Sequence, residues 1–403
     1  MSFRPPKGTD DMGAPESNLW RDVLGEWERW ADLFGYPLVL TPIFEATDLF
    51  ERGVGRDTEV VTKQMYTFTD KGGRSLTLRP EGTAGVVRAF LDSGARGPWK
   101  GSYSGPMFRH ERPQAGRRRQ FWQVGVEYLD VEAPAADAEV VELGYRYLTA
   151  THVPGLEVVL NSLGDAVCRP DYVETLRGYL AEKRDVLCED SLSIVEVNPL
   201  RVLDCNVCAP ALADAPAMKD HLCEPCDEHY AGVKKALDGL EVPFVEDARL
   251  VRGLDYYTRT AFEYVATDLE AAQNAVGGGG RYDGLAESIG GRRAPGVGFA
   301  LGVDRIVLAS TREPEGRVDV YLVSESGPIE ALIAASALRR DGLRVELDTE
   351  GRKVEAQFRS AGRLGARAVV VLPDVGDEVD VRIDDERSGM PLASVAKWLE
   401  GRL

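Results

Sequence analysis

The chain has 403 residues, 44% of them hydrophobic, enough for one large domain or roughly two to three ordinary ones with real cores. Its 66 acidic residues outnumber 48 lysines and arginines, giving a net charge of −18, which argues against a nucleic-acid partner held by bulk positive charge but leaves room for a local basic patch. No apolar run reaches the roughly 18 residues of a membrane span, and "MSFRPPKGTDD" lacks the apolar region of a signal peptide; the expected compartment is the cytoplasm, where six cysteines would be reduced, metal-bound or buried.

In chain order, residues 17–34 have helical periodicity, with Leu19, Val23, Trp27, Trp30 and Phe34 near one face and Ser17 as the candidate N-cap. "YPLVLTPIFE" reads as a strand ending near Pro42, and short strands with turns follow to about residue 130. In "LTLRPEGTAGVVRAF" (76–90) a strand leads to Pro80 opening a helix, with Glu81 and Thr83 in its first turn; an acid there ordinarily complements the helix dipole. Residues 171–184 and 228–238 read as helices around an irregular, cysteine-bearing stretch. Residues 251–309 return to strands and Gly-rich turns. After the polar segment 310–319, strands and helices alternate from "VDVYLVS" through "LASVAKWLEGRL", which predicts a small α/β domain with a largely parallel sheet.

Three stretches carry chemistry. "GPMFRHERPQAGRRRQFWQVGVEYLD" (105–130) parses as strand, loop, strand. Met107, Arg109 and Glu111 share one face and Phe108 and His110 the other, with His110 on the core side; Phe121, Gln123, Gly125 and Glu127 oppose an apolar face of Trp122, Val124, Val126 and Tyr128. The bland reading is a hairpin with one solvated face. Against it, Phe121 beside Arg109 suits a purine and a phosphate, and Gln123 with Glu127 suits a ligand bearing an ammonium or imidazole. "VRGLDYYTRTAFEYV" (251–265) is a strand with Arg252, Gly253, Asp255, Tyr256 and Tyr257 at its mouth, more polar than a core strand requires. "VGGGGRYDGLAESIGG" (276–291) fits neither the dinucleotide nor the P-loop pattern; its glycines make a tight turn or let backbone approach a ligand. "APGVGFALGVDRIVL" (294–308) is a strand entering a helix with Arg305 in its first turn. The runs Arg117–Arg119, Arg292–Arg293 and Arg339–Arg340 are the local basic clusters, a type of run that is ordinarily a solvated face.

Cys205, Cys208, Cys223 and Cys226 form C-x2-C-x14-C-x2-C, close to a common zinc spacing, with His221 and His229 as alternative ligands. A structural Zn2+ on these four cysteines stands beside the alternative of reduced, partly buried thiols; Cys168 and Cys188 read as ordinary buried thiols.

Taken together, "TLRPEGT", "FRHERPQAGRRRQFWQVGVE", "RGLDYYTRTAFEY", "GGGRYDGL" and "GVGFALGVDR" resemble the motif set of the histidyl-tRNA synthetases, a class II aminoacyl-tRNA synthetase family, over nearly the whole chain. The resemblance implies an α+β fold: a class II antiparallel sheet with flanking helices in residues 1–315, with an insertion at about 165–245, then an anticodon-binding α/β domain in 316–403. It implies a cytoplasmic histidine–tRNA ligase that uses ATP with Mg2+ to activate L-histidine and charges tRNA(His). By the same resemblance Arg109 and Arg252 would grip the α-phosphate and serve catalysis, Glu111, Phe121 and Arg305 would hold adenine, and Arg117 the γ-phosphate. Glu81, Thr83, Gln123, Glu127, Arg252, Tyr256, Tyr257 and Tyr282 would form the histidine site. "YPLVLTPIFE" resembles the family's interface motif and implies a homodimer, and the loop "RPQAGRRR" would meet the tRNA acceptor end. Competing readings are a non-catalytic regulatory paralogue partnering ATP phosphoribosyltransferase, expected to lack the Arg252 motif and the terminal domain, a class II enzyme charging another amino acid, and an RNA-binding module, which would not need the ATP arginines.

Overall fold

The computed structural model describes residues 3–56, 58–112, 116–205, 207–254, 256–268, 274–314 and 316–403; Asp255 and the loop residues 113–115 lie outside the described residues. By their contacts the residues divide into two units, 1–11 with 20–312, and 12–19 with 313–403.

The first helix, α1 (Glu16–Leu33), buries Leu19, Val23, Trp27 and Ala31 at helical spacing. It starts before Ser17, which is therefore not its N-cap, and Trp30 and Phe34 are only half-buried. The strand expected from residue 36 to near Pro42 does not form. Pro37 and Pro42 supply no N–H donor, Leu38 makes a single bridge to Ser102, and pairing begins at β1 (Phe44–Ala46).

In the rest of the first unit follow α2 (Thr47–Val54), β2 (Tyr66–Thr69), β3 (Ser75–Leu78), α3 (Thr83–Asp92), β4 (Trp99–Phe108), β5 (Gln120–Leu129), α4 (Pro134–Ala150) and β6 (Leu156–Ser162). Then come α5 (Arg169–Glu182), α6 (Glu189–Ile194), α7 (Glu224–Gly239), β7 (Phe244–Glu246), β8 (Thr258–Ala266), β9 (Ala275–Arg281), α8 (Leu285–Ser288), β10 (Gly296–Gly302) and α9 (Val303–Ala309). The long strands make a seven-stranded sheet in the order β4-β5-β10-β9-β8-β6-β7, antiparallel at every pairing except β6 with β7. One face is apolar: Val124, Val126, Phe299 and Tyr264 meet α1 and α4, with Trp27 edge-on to Tyr147 at 5.2 Å and to Phe299 at 6.0 Å. The opposite face, on which Gln123 and Glu127 stand, carries the polar groups.

The glycine run, read from sequence as either a tight turn or a close approach of backbone to a ligand, is the central strand β9. Intrinsic strand propensity disfavours four glycines, but tertiary packing decides: a Cβ on Gly277 would lie 2.5 Å from the carbonyl oxygen of Ala300. In β8 the register shifts twice, between Thr258 and Ala261, where Arg259 takes φ +49°, and between Tyr264 and Val265; simple alternation holds only from Ala261 to Tyr264.

The second unit contains β11 (Val320–Ser324), α10 (Pro328–Arg340), β12 (Val345–Leu347), α11 (Val354–Arg363), β13 (Ala368–Leu372), β14 (Glu378–Ile383), β15 (Glu386–Pro391) and α12 (Val395–Leu399). The sheet order is β12-β11-β13-β14-β15; the first three strands are parallel and β14 and β15 add on antiparallel. Val320, Leu322 and Val370 pack with Ala335 and Leu338 on one side of the sheet, while Tyr321 and Val323 pack with Ala361 on the other. Gly342 and Gly365, at φ +90° and +64°, follow the ends of α10 and α11 as the sequence predicts. The strand β15 was not anticipated.

One charged cluster is fully inside the first unit. Asp137 of α4 accepts from Nε of Arg281 at 3.2 Å, pairs with its Nη2, and meets Nε2 of His229 of α7 at 3.1 Å; the Asp137 and Arg281 side chains are wholly buried. Burial opposes the Asp137 charge, but His229 and Arg281 more than offset it and hold its carboxyl below the ordinary range. Removing one member strands the others. Asp137→Ala is therefore expected to destabilise the protein by about 3–5 kcal/mol, measured as a lower urea midpoint by tryptophan fluorescence; an unchanged midpoint would show the cluster to be neutral.

Candidate active site

The polar face of the sheet is low because its neighbours are glycines. Across β5, Gln123 lies opposite Gly105 and Gly302, and Glu127 opposite Gly101 and Gly298. Gly278 and Gly280 continue the floor on β9, opposite Glu263 and Ala261 of β8. Above this floor opens a cavity of about 540 Å³.

Six arginines line it: Arg109, Arg117, Arg118, Arg201, Arg252 and Arg305. Arg109 and Glu111 lie just beyond the end of β4 rather than on the strand. Arg109 donates through Nε to the carbonyl of Pro80 at 2.8 Å, and its guanidinium stands 5.3 Å from the Phe121 ring centroid. Glu111 sits between two guanidinium groups, 3.9 Å from Arg109 and 4.0 Å from Arg117. Arg252 donates to Glu263 at 2.6 Å, while its buried Nε has no partner among the described residues. Arg305, on α9, donates to the carbonyl of Ala275. Burial lowers the pKa of Arg109 and of Arg305; at Arg252 burial opposes the charge, but the Glu263 carboxylate more than offsets it and raises the pKa. Only the first of the three basic runs reaches the cavity, through Arg117 and Arg118. Arg292 pairs with Asp130, Arg293 with Glu132, and Arg339 donates to the carbonyl of Val345.

The other end is buried and aromatic. Tyr256 and Tyr257 have ring centroids 4.5 Å apart, and Tyr282 packs on Tyr256 at 5.7 Å. Gln123, Glu81, Thr83, Tyr256 and Tyr257 line the cavity; Glu127 and Tyr282 are not in the lining and support it from behind, with the Tyr282 hydroxyl donating to Glu127. Burial pushes the Glu127 carboxyl up to about 8. Oε1 of Gln123 and Oε1 of Glu127 are buried with no hydrogen-bond partner among the described residues, a costly arrangement that a ligand would relieve.

Several expectations need correction. Glu81 and Pro80 precede the helix: α3 begins at Thr83, and the Glu81 carboxylate accepts from the N–H groups of Thr83 at 2.6 Å and Ala84 at 3.0 Å. Capping and lining of the cavity are thus combined in one buried side chain whose pKa burial raises. His110 is not on the core side; it is exposed, its ring 5.6 Å from that of Tyr66, because the chain leaves the strand at Phe108. The four cysteines at 205, 208, 223 and 226 do not converge. Cys205 and Cys208 group with Cys188, and Cys223 and Cys226 with Cys168 and Asp165. Of the alternative ligands, His229 is engaged by Asp137, and His221 lies against the ring of Tyr172.

The sequence reading also missed residues. Glu263 orients Arg252, and its place on the site face follows from the alternation of β8 beyond its bulge. Arg201 donates to the carbonyl of Gly253 at 2.5 Å, and Arg201 and Asp204 line the cavity; both come from a 3₁₀ turn at Pro199–Asp204 within the cysteine-bearing stretch.

Comparison with known proteins agrees with this geometry. The family profile described as "Histidyl-tRNA synthetase" matches residues 8–306. The chain is 47% identical to the histidine–tRNA ligase of Anaeromyxobacter dehalogenans strain 2CP-1, covering 94% of this chain and 93% of that protein. It is 45% identical to that of Halothermothrix orenii, covering 93% and 92%. The crystal structure of the apo S. aureus histidyl-tRNA synthetase superposes with a TM-score of 0.79 at 34% identity, covering 98% of this chain and 99% of that one. The chain belongs to the histidyl-tRNA synthetase family and is an aminoacyl-tRNA synthetase of the histidine–tRNA ligase type.

Proposed function

We propose that the cavity holds ATP and L-histidine side by side, joins them as histidyl-adenylate with release of pyrophosphate, and passes the histidyl group to the 3′ end of tRNA(His). The observation that carries this reading is the pairing of buried, unpartnered oxygens on Gln123 and Glu127 with arginines converging on one cavity. Such a site suits two ligands side by side: a cationic amino acid whose carboxylate is the nucleophile, and a polyphosphate whose α-phosphorus it attacks.

In this reading the histidine carboxylate attacks the α-phosphorus and the pyrophosphate oxygen leaves with the bonding pair. Arg109 and Arg252 bind the α-phosphate oxygens, where negative charge accumulates in the transition state. Phe121 and Arg305 sandwich adenine, Glu111 accepts from its amino group, and Arg117 holds the γ-phosphate. Gln123, Glu127, Glu81, Thr83 and the tyrosines Tyr256, Tyr257 and Tyr282 select histidine by offering polar partners that an apolar amino acid would leave unpaired. A ribose hydroxyl of the tRNA end then attacks the activated carbonyl, and AMP leaves. Mg2+ would accompany the nucleotide and screen its phosphates. Asp204 lines the same cavity, and burial with the charge of Glu263 pushes its carboxyl up to about 6.

The terminal unit, residues 313–403, is proposed to hold the anticodon end of the tRNA. A homodimer is proposed through the segment after α1, where Leu38, Leu40, Ile43, Phe44 and Phe68 are large, apolar and exposed. A cytoplasmic site of action accords with six free cysteines, and no helix among the described residues is long and apolar enough to cross a membrane. The regulatory-paralogue reading is disfavoured by Arg252 with its Glu263 partner and by the terminal α/β unit.

Arg252→Ala is expected to fold normally and to lose on the order of 10²–10³-fold in histidine-dependent ATP–pyrophosphate exchange; exchange at the native rate would remove Arg252 from the reaction. Because the Glu127 carboxyl titrates at about 8, it is mostly protonated at neutral pH, and binding an ammonium favours its ionised form. Histidine binding is therefore expected to release a proton at pH 7.5 and to tighten as pH rises toward 8. Calorimetry in buffers of different ionisation enthalpy reads this directly; no release would show Glu127 already ionised. Sedimentation velocity is expected to show a species of twice the chain mass, and a monomer alone would refute the dimer.

A further inference from the structure

We propose that Asp165, Cys168, Cys223 and Cys226 form a structural zinc site, distinct from the four-cysteine set suggested by spacing alone. Each residue offers a ligand atom, and the four atoms all lie within 4.8 Å of one another. One separation is already that of a bound ion, Sγ of Cys168 at 3.6 Å from Oδ1 of Asp165, and Sγ of Cys223, at 3.9 Å from the same oxygen, is slightly longer. Tetrahedral zinc, with bonds of about 2.3 Å to sulfur and 2.0 Å to oxygen, sets its ligands roughly 3.5–3.8 Å apart. The set comes from two D/C-x2-C knuckles, "DAVC" ahead of α5 and "CEPC" at the start of α7. Neither knuckle can be completed by neighbours in sequence, so the site exists only when the two helices meet.

The surroundings hold the ligands in place. Asp165 Oδ1 accepts from the N–H groups of Val167 at 2.9 Å and Cys168 at 3.4 Å, and the Asp165 N–H points at Sγ of Cys168 at 3.4 Å. Three thiolates and a carboxylate around Zn2+ leave a net charge of −2, and Nη2 of Arg259 stands 3.5 Å from Oδ2 of Asp165 to offset part of it. Sulfur-rich tetrahedral donors favour zinc over harder cations, and a cage this small takes one ion rather than a cluster.

The zinc would brace the histidine end of the cavity, an extension that rests on the function proposed above. The Arg259 backbone N–H donates to the carbonyl of Gly164 at 2.7 Å, and its carbonyl accepts from Leu163 at 2.6 Å. Arg169, next to Cys168, donates to the carbonyls of Tyr257 at 2.7 Å and Gly164 at 3.1 Å. The knuckle is therefore two side chains away from a tyrosine that lines the cavity.

The test is metal content, independent of activity. Untagged protein purified in reducing buffer without added metal is expected to carry one zinc per chain by mass spectrometry. Its cobalt-substituted form is expected to show the intense visible bands of a tetrahedral thiolate site. Cys223→Ser, at a half-exposed position, is expected to lose both signals, while Cys205→Ser, in the separate three-thiol group, keeps them; circular dichroism checks that each variant is folded. Two ions in the native chain, one lost with each substitution, would equally support the site. Native protein with neither zinc nor a cobalt spectrum would overturn it, as would zinc lost through both substitutions from a single ion, or kept by Cys223→Ser.

Discussion

The closeness of backbone to backbone in the central sheet is the constraint on which the rest depends. Side chains on one face of β4, β5, β10 and β9 are reduced to hydrogen at Gly101, Gly105, Gly298, Gly302, Gly278 and Gly280, all of them opposite or beside the functional groups. A Cβ on Gly298 would collide with the Glu127 carboxylate, and one on Gly278 would stand 2.9 Å from Arg252 Nη1. Glycine in a strand sacrifices propensity and entropy. Here the loss is offset by the apolar packing on the reverse face, where Trp27, Tyr147, Tyr264 and Phe299 interlock. The sheet is thus built as a wall with one packed side and one bare side, and the bare side is where charge can be gathered.

Gathering charge there requires each group to be held by another. Arg252 is set by Glu263, Arg109 by the Pro80 carbonyl and the Phe121 ring, and Glu81 by two helix N–H groups. Preorganised groups of this kind need no rearrangement when charge develops on a ligand. In a chain of net charge −18 the cavity lining balances six arginines against six carboxylates, so the acidic excess lies elsewhere.

Much of this was legible in the sequence where the signal is local. Period-two alternation placed Gln123 and Glu127 on the functional face of β5, and motif resemblance brought Arg109, Arg117, Phe121, Arg252 and Arg305 to one cavity. What failed was long-range or counter to propensity. Four consecutive glycines read as a tight turn or a ligand approach because their strand is imposed by its neighbours. The polar strand β15, containing Gly389 and Pro391, had no apolar period to detect, yet pairs along its whole length with β14. The cysteines were grouped by spacing along the chain, whereas folding brings Cys168 to Cys223 and Cys226, and Cys188 to Cys205 and Cys208. Arg201 and Asp204 were hidden for the same reason, since nothing local links a 3₁₀ turn in an irregular stretch to a distant cavity.

The buried cluster of Asp137, Arg281 and His229 bears on how separable the irregular middle of the chain is. In sequence, residues 165–245 look like a cassette between two strands. Yet the helix near its end contributes His229 as a partner of Asp137, which pairs with Arg281 at the end of the central strand, and Arg146 of α4 donates to the carbonyl of Leu240 at 2.7 Å. Cutting the cassette out at its apparent borders would leave the buried Asp137 carboxylate with one partner fewer. The segment is accordingly not modular: α7 is part of the electrostatic frame of the sheet and has to stay with it, and Arg169 and Arg201 of the earlier part hold carbonyls of Tyr257 and Gly253.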